Sequence, residues 1–166
     1  MRSLSNYRLK CAFFALLVCL LVTSAPRSAQ AATAEGPADV VTVTTRYDFK
    51  TLLGRLEESV VKNNMLVVAK ASASAGAEKR GVKIPGDAVV MVFRNDFAVR
   101  MLQASTAAGL EAPIPIHVYE TSDGGARIAY RRPTAVFRPY HTTALTAMAR
   151  ELDPIFEQIV SQAAAK

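Results

Sequence analysis

The segment Ile114–Pro133, IPIHVYETSDGGARIAYRRP, sets an imidazole (His117), a carboxylate (Glu120) and a phenol (Tyr130) around an Asp-Gly-Gly turn. Asn95, upstream, is a further hydrogen-bonding group. General acid–base work and metal ligation draw on these side-chain types. The spacing argues against a shared metal ion. Successive side chains of an extended strand alternate faces, so His117 and Glu120, three positions apart, point to opposite sides. No His-x-x-x-His or cysteine pair supports them, and the other histidine, His141, lies well downstream. No metal is expected.

Whether Glu120, Tyr130 and Asn95 make a polar ligand site depends on hairpin register. A two-residue turn at Asp123-Gly124 sets Glu120 opposite Arg127, an exposed ion pair worth about 0.2–1 kcal/mol. A three-residue loop, Asp123–Gly125, sets Glu120 opposite Ile128 and Val118 opposite Tyr130. The second register keeps Ile116, Val118, Ile128 and Tyr130 on one face, and the hydrophobic pattern favours it. It also puts a carboxylate on the core side, where it needs partners or a proton, and such groups are enriched at functional sites. The competing reading is satisfaction of a strand end, the usual fate of a buried polar group. Arg127, Arg131 and Arg132, with Arg138, are the one basic concentration. They suit an anion or lipid-headgroup surface, or a solvated strand edge whose charge discourages aggregation. Gly-x-Ser-x-Gly, Gly-Lys-[Ser/Thr] and Gly-x-Gly-x-x-Gly signatures are absent, so no cofactor is implied.

The N-terminus reads as an address. MRSLSNYRLK carries Arg2, Arg8 and Lys10 without an acid, the apolar run Cys11–Val22 follows, and small residues stand at Ala29 and Ala31. These are the parts of a secretory signal peptide over 1–31, cleaved near Ala31 or Ala32. The apolar run of 12 residues falls short of the roughly 20 a spanning helix needs, so no membrane span is expected after cleavage. Both cysteines would leave with the signal, which excludes disulfides and thiolate chemistry in the mature chain. Arg2, Arg8, Lys10 and Arg27 would leave too, so 16 of the 20 Lys+Arg remain against 14 Asp+Glu, about +2. A near-neutral exported chain has little electrostatic reason to bind nucleic acid. The expected place is the periplasm or the extracellular space.

Residues 32–38 read as a leader, and 39–166 as a single domain with one core. DVVTVTTRY (39–47) suits a half-buried strand. Phe49, Leu52, Leu53, Leu56 and Val60 then mark one face of a helix, with Asp48 as N-cap and Gly54 as a point where another element could approach. MLVVAKA (65–71) and DAVVMVF (87–93) are continuous apolar runs, expected to lie centrally with both faces covered. Residues 72–86 suit a short helix or a loop. NDFAVRMLQASTAAGL predicts a second helix, opened by Asn95 or Asp96 and stopped near Gly109. The hairpin supplies two strands. Leu145, Met148, Leu152, Phe156 and Ile159 then form a helical stripe that packs on the sheet or forms a dimer seam. Pro154 would kink or restart that helix, with Asp153 as cap. The order β-α-β-(α)-β-α-β-β-α predicts an α+β fold: about five strands, mixed or mostly antiparallel, with two to three helices on one face.

The blocks VVMVFRND, GLEAPIPIHVYETSDGG and ARIAYRRP resemble those of the family known as domain of unknown function 302. The matching residues are Phe93 and Asn95, then Gly109, Leu110 and Pro113, then Tyr119 and Glu120, and finally Tyr130 and Pro133. Arg94 and Asp96 depart from the Gly and Pro usual there. The resemblance runs from about Val40 to Pro133 and implies a compact α+β domain, often a homodimer, with no activity attached. The expectation is a homodimeric binding or accessory module with a protein or small-molecule partner. The alternative is a small-molecule carrier or enzyme using Glu120 with Tyr130 and Asn95.

Overall fold

A computed structural model describes residues 39–166; the expected signal (1–31) and leader (32–38) lie outside the described residues. Five strands, β1 (Val40–Thr44), β2 (Leu66–Ala71), β3 (Asp87–Phe93), β4 (Ile114–Glu120) and β5 (Ala126–Arg131), form one antiparallel sheet in the order β1-β5-β4-β3-β2. The helices are α1 (Phe49–Lys62), α2 (Ala73–Glu78), α3 (Asn95–Ala104), α4 (Pro133–Phe137) and α5 (Thr143–Ala164), with 3-10 turns after α3 and α4. The α+β class and the element order follow the periodicities of the chain.

The long helices form where the apolar spacing asks for them. Asp48 caps α1, its side chain accepting from Thr51 N at 2.9 Å. That bond offsets one of the free amides at the helix start. Leu52, Leu56 and Val60 of α1 are fully buried, as are Leu145, Phe156 and Ile159 of α5. Together with Phe97 and Met101 of α3 they meet Val90, Ile116, Val118 and Ile128 of the sheet in one apolar cluster. Each large aliphatic or aromatic side chain taken from water there contributes roughly 1.5–3 kcal/mol.

The structure corrects several expectations. β2 is an edge strand, and Leu66 and Val68 on it are 55% and 47% exposed. β3 is internal, but its burial alternates: Ala88, Val90 and Val92 face the helices while Val89, Met91 and Phe93 are only partly covered. A continuous apolar run thus signals two covered faces, and this chain covers one. β5, likewise, is not the edge strand that its arginines suggested.

The hairpin takes neither expected register. Glu120 pairs with Ala126 and Val118 with Ile128, and Thr121 N donates to Gly125 O at 2.8 Å. The loop is therefore Ser122-Asp123-Gly124, with Gly124 at φ +80°, where a side chain would be strained. The Asp123 carboxylate accepts from the Thr121 hydroxyl and from Gly125 N, which favours closing one residue earlier than the glycine pair suggests. Parity is unchanged, so Ile116, Val118, Ile128 and Tyr130 still share the buried face.

α5 runs unbroken through Pro154. Asp153 caps α4 instead of a second half of α5, accepting from Thr134 N at 2.9 Å and Thr134 Oγ1 at 2.7 Å. A Cβ at Gly54 would find nothing within 4 Å, so no element uses that gap. Gly86 is where the close approach occurs: a Cβ there would collide with the Phe49 ring.

Candidate functional site

The helices leave the second face of the sheet open, and a polar cluster stands on it. Register places Asp87 beside Tyr119 and Tyr119 beside Arg127, while His117 sits between Val89 and Ala129. His117 Nε2 lies 2.8 Å from Asp87 Oδ2, both side chains 38% exposed, and the imidazole stacks on Tyr119 with ring centroids 5.0 Å apart. A carboxylate on one ring nitrogen fixes the tautomer and orientation of an imidazole and leaves the other nitrogen for a second partner. Arg127 Nε is buried and is the single buried side-chain nitrogen or oxygen without a hydrogen-bond partner among the described residues. An orphaned buried donor of that kind costs roughly 1–3 kcal/mol. The arrangement sets a carboxylate–imidazole pair, a phenol and a guanidinium side by side on the face of the sheet that the helices leave open.

Glu120, Tyr130 and Asn95 are not gathered. Glu120 is exposed at the end of β4, and its carboxylate accepts from Gly86 N at 2.7 Å while its own N–H donates to Gly86 O at 2.8 Å. That is strand-end satisfaction. Asn95 opens α3 beyond the other end of β3. The length of β3 separates them, roughly 24 Å at strand rise. Tyr130 lies between, 4% exposed and facing the helices, its ring stacked on Phe156 at 6.1 Å between centroids. Burial, with the Glu157 charge adding to it, raises the Tyr130 phenol above its usual pKa, so it stays protonated. His117 and Glu120 go to different partners on different sides, as alternation requires. Among the described residues no group of three or more His, Cys, Asp or Glu side chains is placed to hold a metal ion.

The arginines do not form one patch. Arg127 and Arg131 alternate along β5 on the open face. Arg132 lies past the strand and pairs with Glu157 at 2.8 Å, and Arg138 clamps Asp39 at 2.6 Å. Asp87 as the partner of His117 was missed in the sequence because the pair depends on β3–β4 register, across 30 residues. No local pattern encodes it.

The geometry defines an α+β domain whose antiparallel sheet is helix-covered on one side and open on the other. The chain belongs to the family described as domain of unknown function DUF302, whose model matches residues 41–163. A crystal structure of an uncharacterized conserved DUF302 protein from Bacillus stearothermophilus is similar in fold. Its TM-score is 0.69 at 20% identity, over 76% of this chain and 99% of that one. Among curated proteins nothing matches. Among the described residues no helix is long and apolar enough to cross a membrane.

Proposed function

We propose that this protein is an exported binding or accessory module that works as a homodimer, two copies meeting through the open face of the sheet. The observation that carries the reading is the mismatch between pattern and cover. β2 and β3 are apolar on both sides, as strands with two covered faces are, yet helices cover only one. Val89, Met91 and Phe93 of β3 stand half-covered, beside the exposed Leu66 of edge strand β2. A second copy supplies the missing layer, and a standard interface buries roughly 800 Å² per partner. The family resemblance points the same way.

Export rests on the N-terminal charge, apolar and small-residue pattern. The carrier or enzyme alternative needs Glu120, Tyr130 and Asn95 to converge, and their separation along β3 counts against it. Native mass spectrometry of the protein isolated from the periplasm or medium tests the proposal. The expected species is a dimer of chains beginning near Ala32, free of retained ligand. A monomer carrying a small molecule would overturn the module reading in favour of the carrier.

A further inference from the structure

We infer that the basic groove at the start of α5 is a binding site for a phosphate-class oxyanion. The groove has a volume of about 750 Å³ and runs between β1, α4 and α5, at a distance in sequence and fold from the open-face cluster. Arg132, Arg138, His141 and Arg150 line it, with Asp39 as the one acid. Three guanidiniums against one carboxylate leave +2 before His141 is counted.

These residues converge because of how α5 begins. His141 takes a left-handed conformation at φ +51°, which turns the chain out of the preceding 3-10 turn and into the helix. Thr143, Thr146 and Arg150 follow at i, i+3 and i+7, one face of α5, and all three line the groove. The N-cap residue, Thr142, makes no side-chain bond to the first turn, and its hydroxyl donates back to Tyr140 O at 3.0 Å. Of the free amides of the first turn, that of Thr143 belongs to a groove-lining residue, and it keeps its donor capacity at the positive end of a helix of 22 residues.

The cations are not equally committed. Arg132 is paired with Glu157, and Arg138 holds Asp39 through two nitrogens at 2.6 and 3.3 Å. That fork already grips a carboxylate, the geometry by which guanidinium takes a phosphate. Arg150 has no carboxylate partner among the described residues, unlike Arg94 and Arg100, which clamp Asp96 and Glu151. The hydroxyl protons of Thr142 and Thr146 are spent on backbone oxygens. The groove therefore meets its ligand with charge and a helix amide. The reading is independent of the dimer: none of the cations it uses lies on the open face.

The test follows backbone amide NMR shifts of the protein as inorganic phosphate is titrated at constant ionic strength. Saturable shifts centred on Thr143, Thr146 and Arg150 are expected, with binding about tenfold weaker in Arg150→Gln, the loss of one charged hydrogen bond. Asp39→Asn should tighten binding by freeing Arg138, and Arg131→Gln, on the open face, should leave it unchanged. Vesicles of phosphatidylglycerol in phosphatidylcholine separate the two sources of such a group. Sedimentation with vesicles that Arg150→Gln abolishes assigns a lipid headgroup, and phosphate binding without sedimentation assigns a soluble phosphate. Non-saturating shifts, or phosphate binding or vesicle sedimentation that Arg150→Gln leaves intact, would overturn the site.

Discussion

Val90 and Met91 are neighbours on the same strand, yet Val90 is fully buried on the face that α1 covers while Met91 stands on a surface that no helix covers. The whole sheet repeats that contrast. Towards the helices it presents Ile116, Val118 and Ile128, fully buried, and Tyr130, its one buried titratable side chain among the described residues. Away from them it presents His117 on Asp87, Tyr119 and Arg127 among apolar neighbours. The covered side holds the apolar core, and the open side holds the polar cluster. A sheet sealed by helices on one face needs only shape there, so polar groups are free to collect where a partner can satisfy them.

The comparison breaks first at its covered side. Phe156→Ala removes a fully buried ring stacked on Tyr130 and should cost about 3–5 kcal/mol in urea denaturation; a loss under about 1 kcal/mol would mean the covered face is loosely packed. On the open side, Met91→Lys should spare the fold of each subunit while weakening self-association by about 2 kcal/mol, measured by sedimentation equilibrium. A large fall in subunit stability with unchanged association would reverse the roles of the two faces. Asp153→Ala strips the double cap from Thr134 and should lower stability by about 1 kcal/mol, followed by thermal melting. Gly54→Ala, in open space on an exposed helix position, should raise stability by about 0.5–1 kcal/mol. The smallest effect is in pH. Hydrogen bonds from the Thr51 side chain and backbone lower the Asp48 pKa below its usual 3.8. Its contribution is thus present above that value and lost as the pH falls through the lower folded value. Asp48→Asn should flatten the acid limb of the melting-temperature profile, and an unchanged limb would remove Asp48 as its source.

Much of the covered side was legible in the sequence. The Leu52–Leu56–Val60 and Leu145–Phe156–Ile159 spacings, the Asp48 cap and the strand parity of the hairpin are all local, set within a few residues of one another. The open side was not. There His117 meets Asp87 across 30 residues of chain, and in the helix layer Thr134 meets Asp153 and Arg132 meets Glu157 across 19 and 25, where pairing follows from sheet order and helix packing. β2 shows the limit most clearly. Its apolar run reads as a central strand because pattern records that a face is covered without recording by what. Glu120, Tyr130 and Asn95 stand apart for a related reason. Alternation gave the side of Glu120 correctly, but a strand end, with Gly86 waiting to donate, lies outside the rule that core-side residues are buried.

The open face as an interface between two copies is tested most directly by isotope-filtered nuclear Overhauser spectroscopy on a mixture of labelled and unlabelled protein. Contacts between copies should arise from the Met91 methyl and the Val89 methyls, and should vanish in Met91→Lys. Contacts between copies that come from α5 instead, or none at concentrations where the protein is a dimer, would contradict the account.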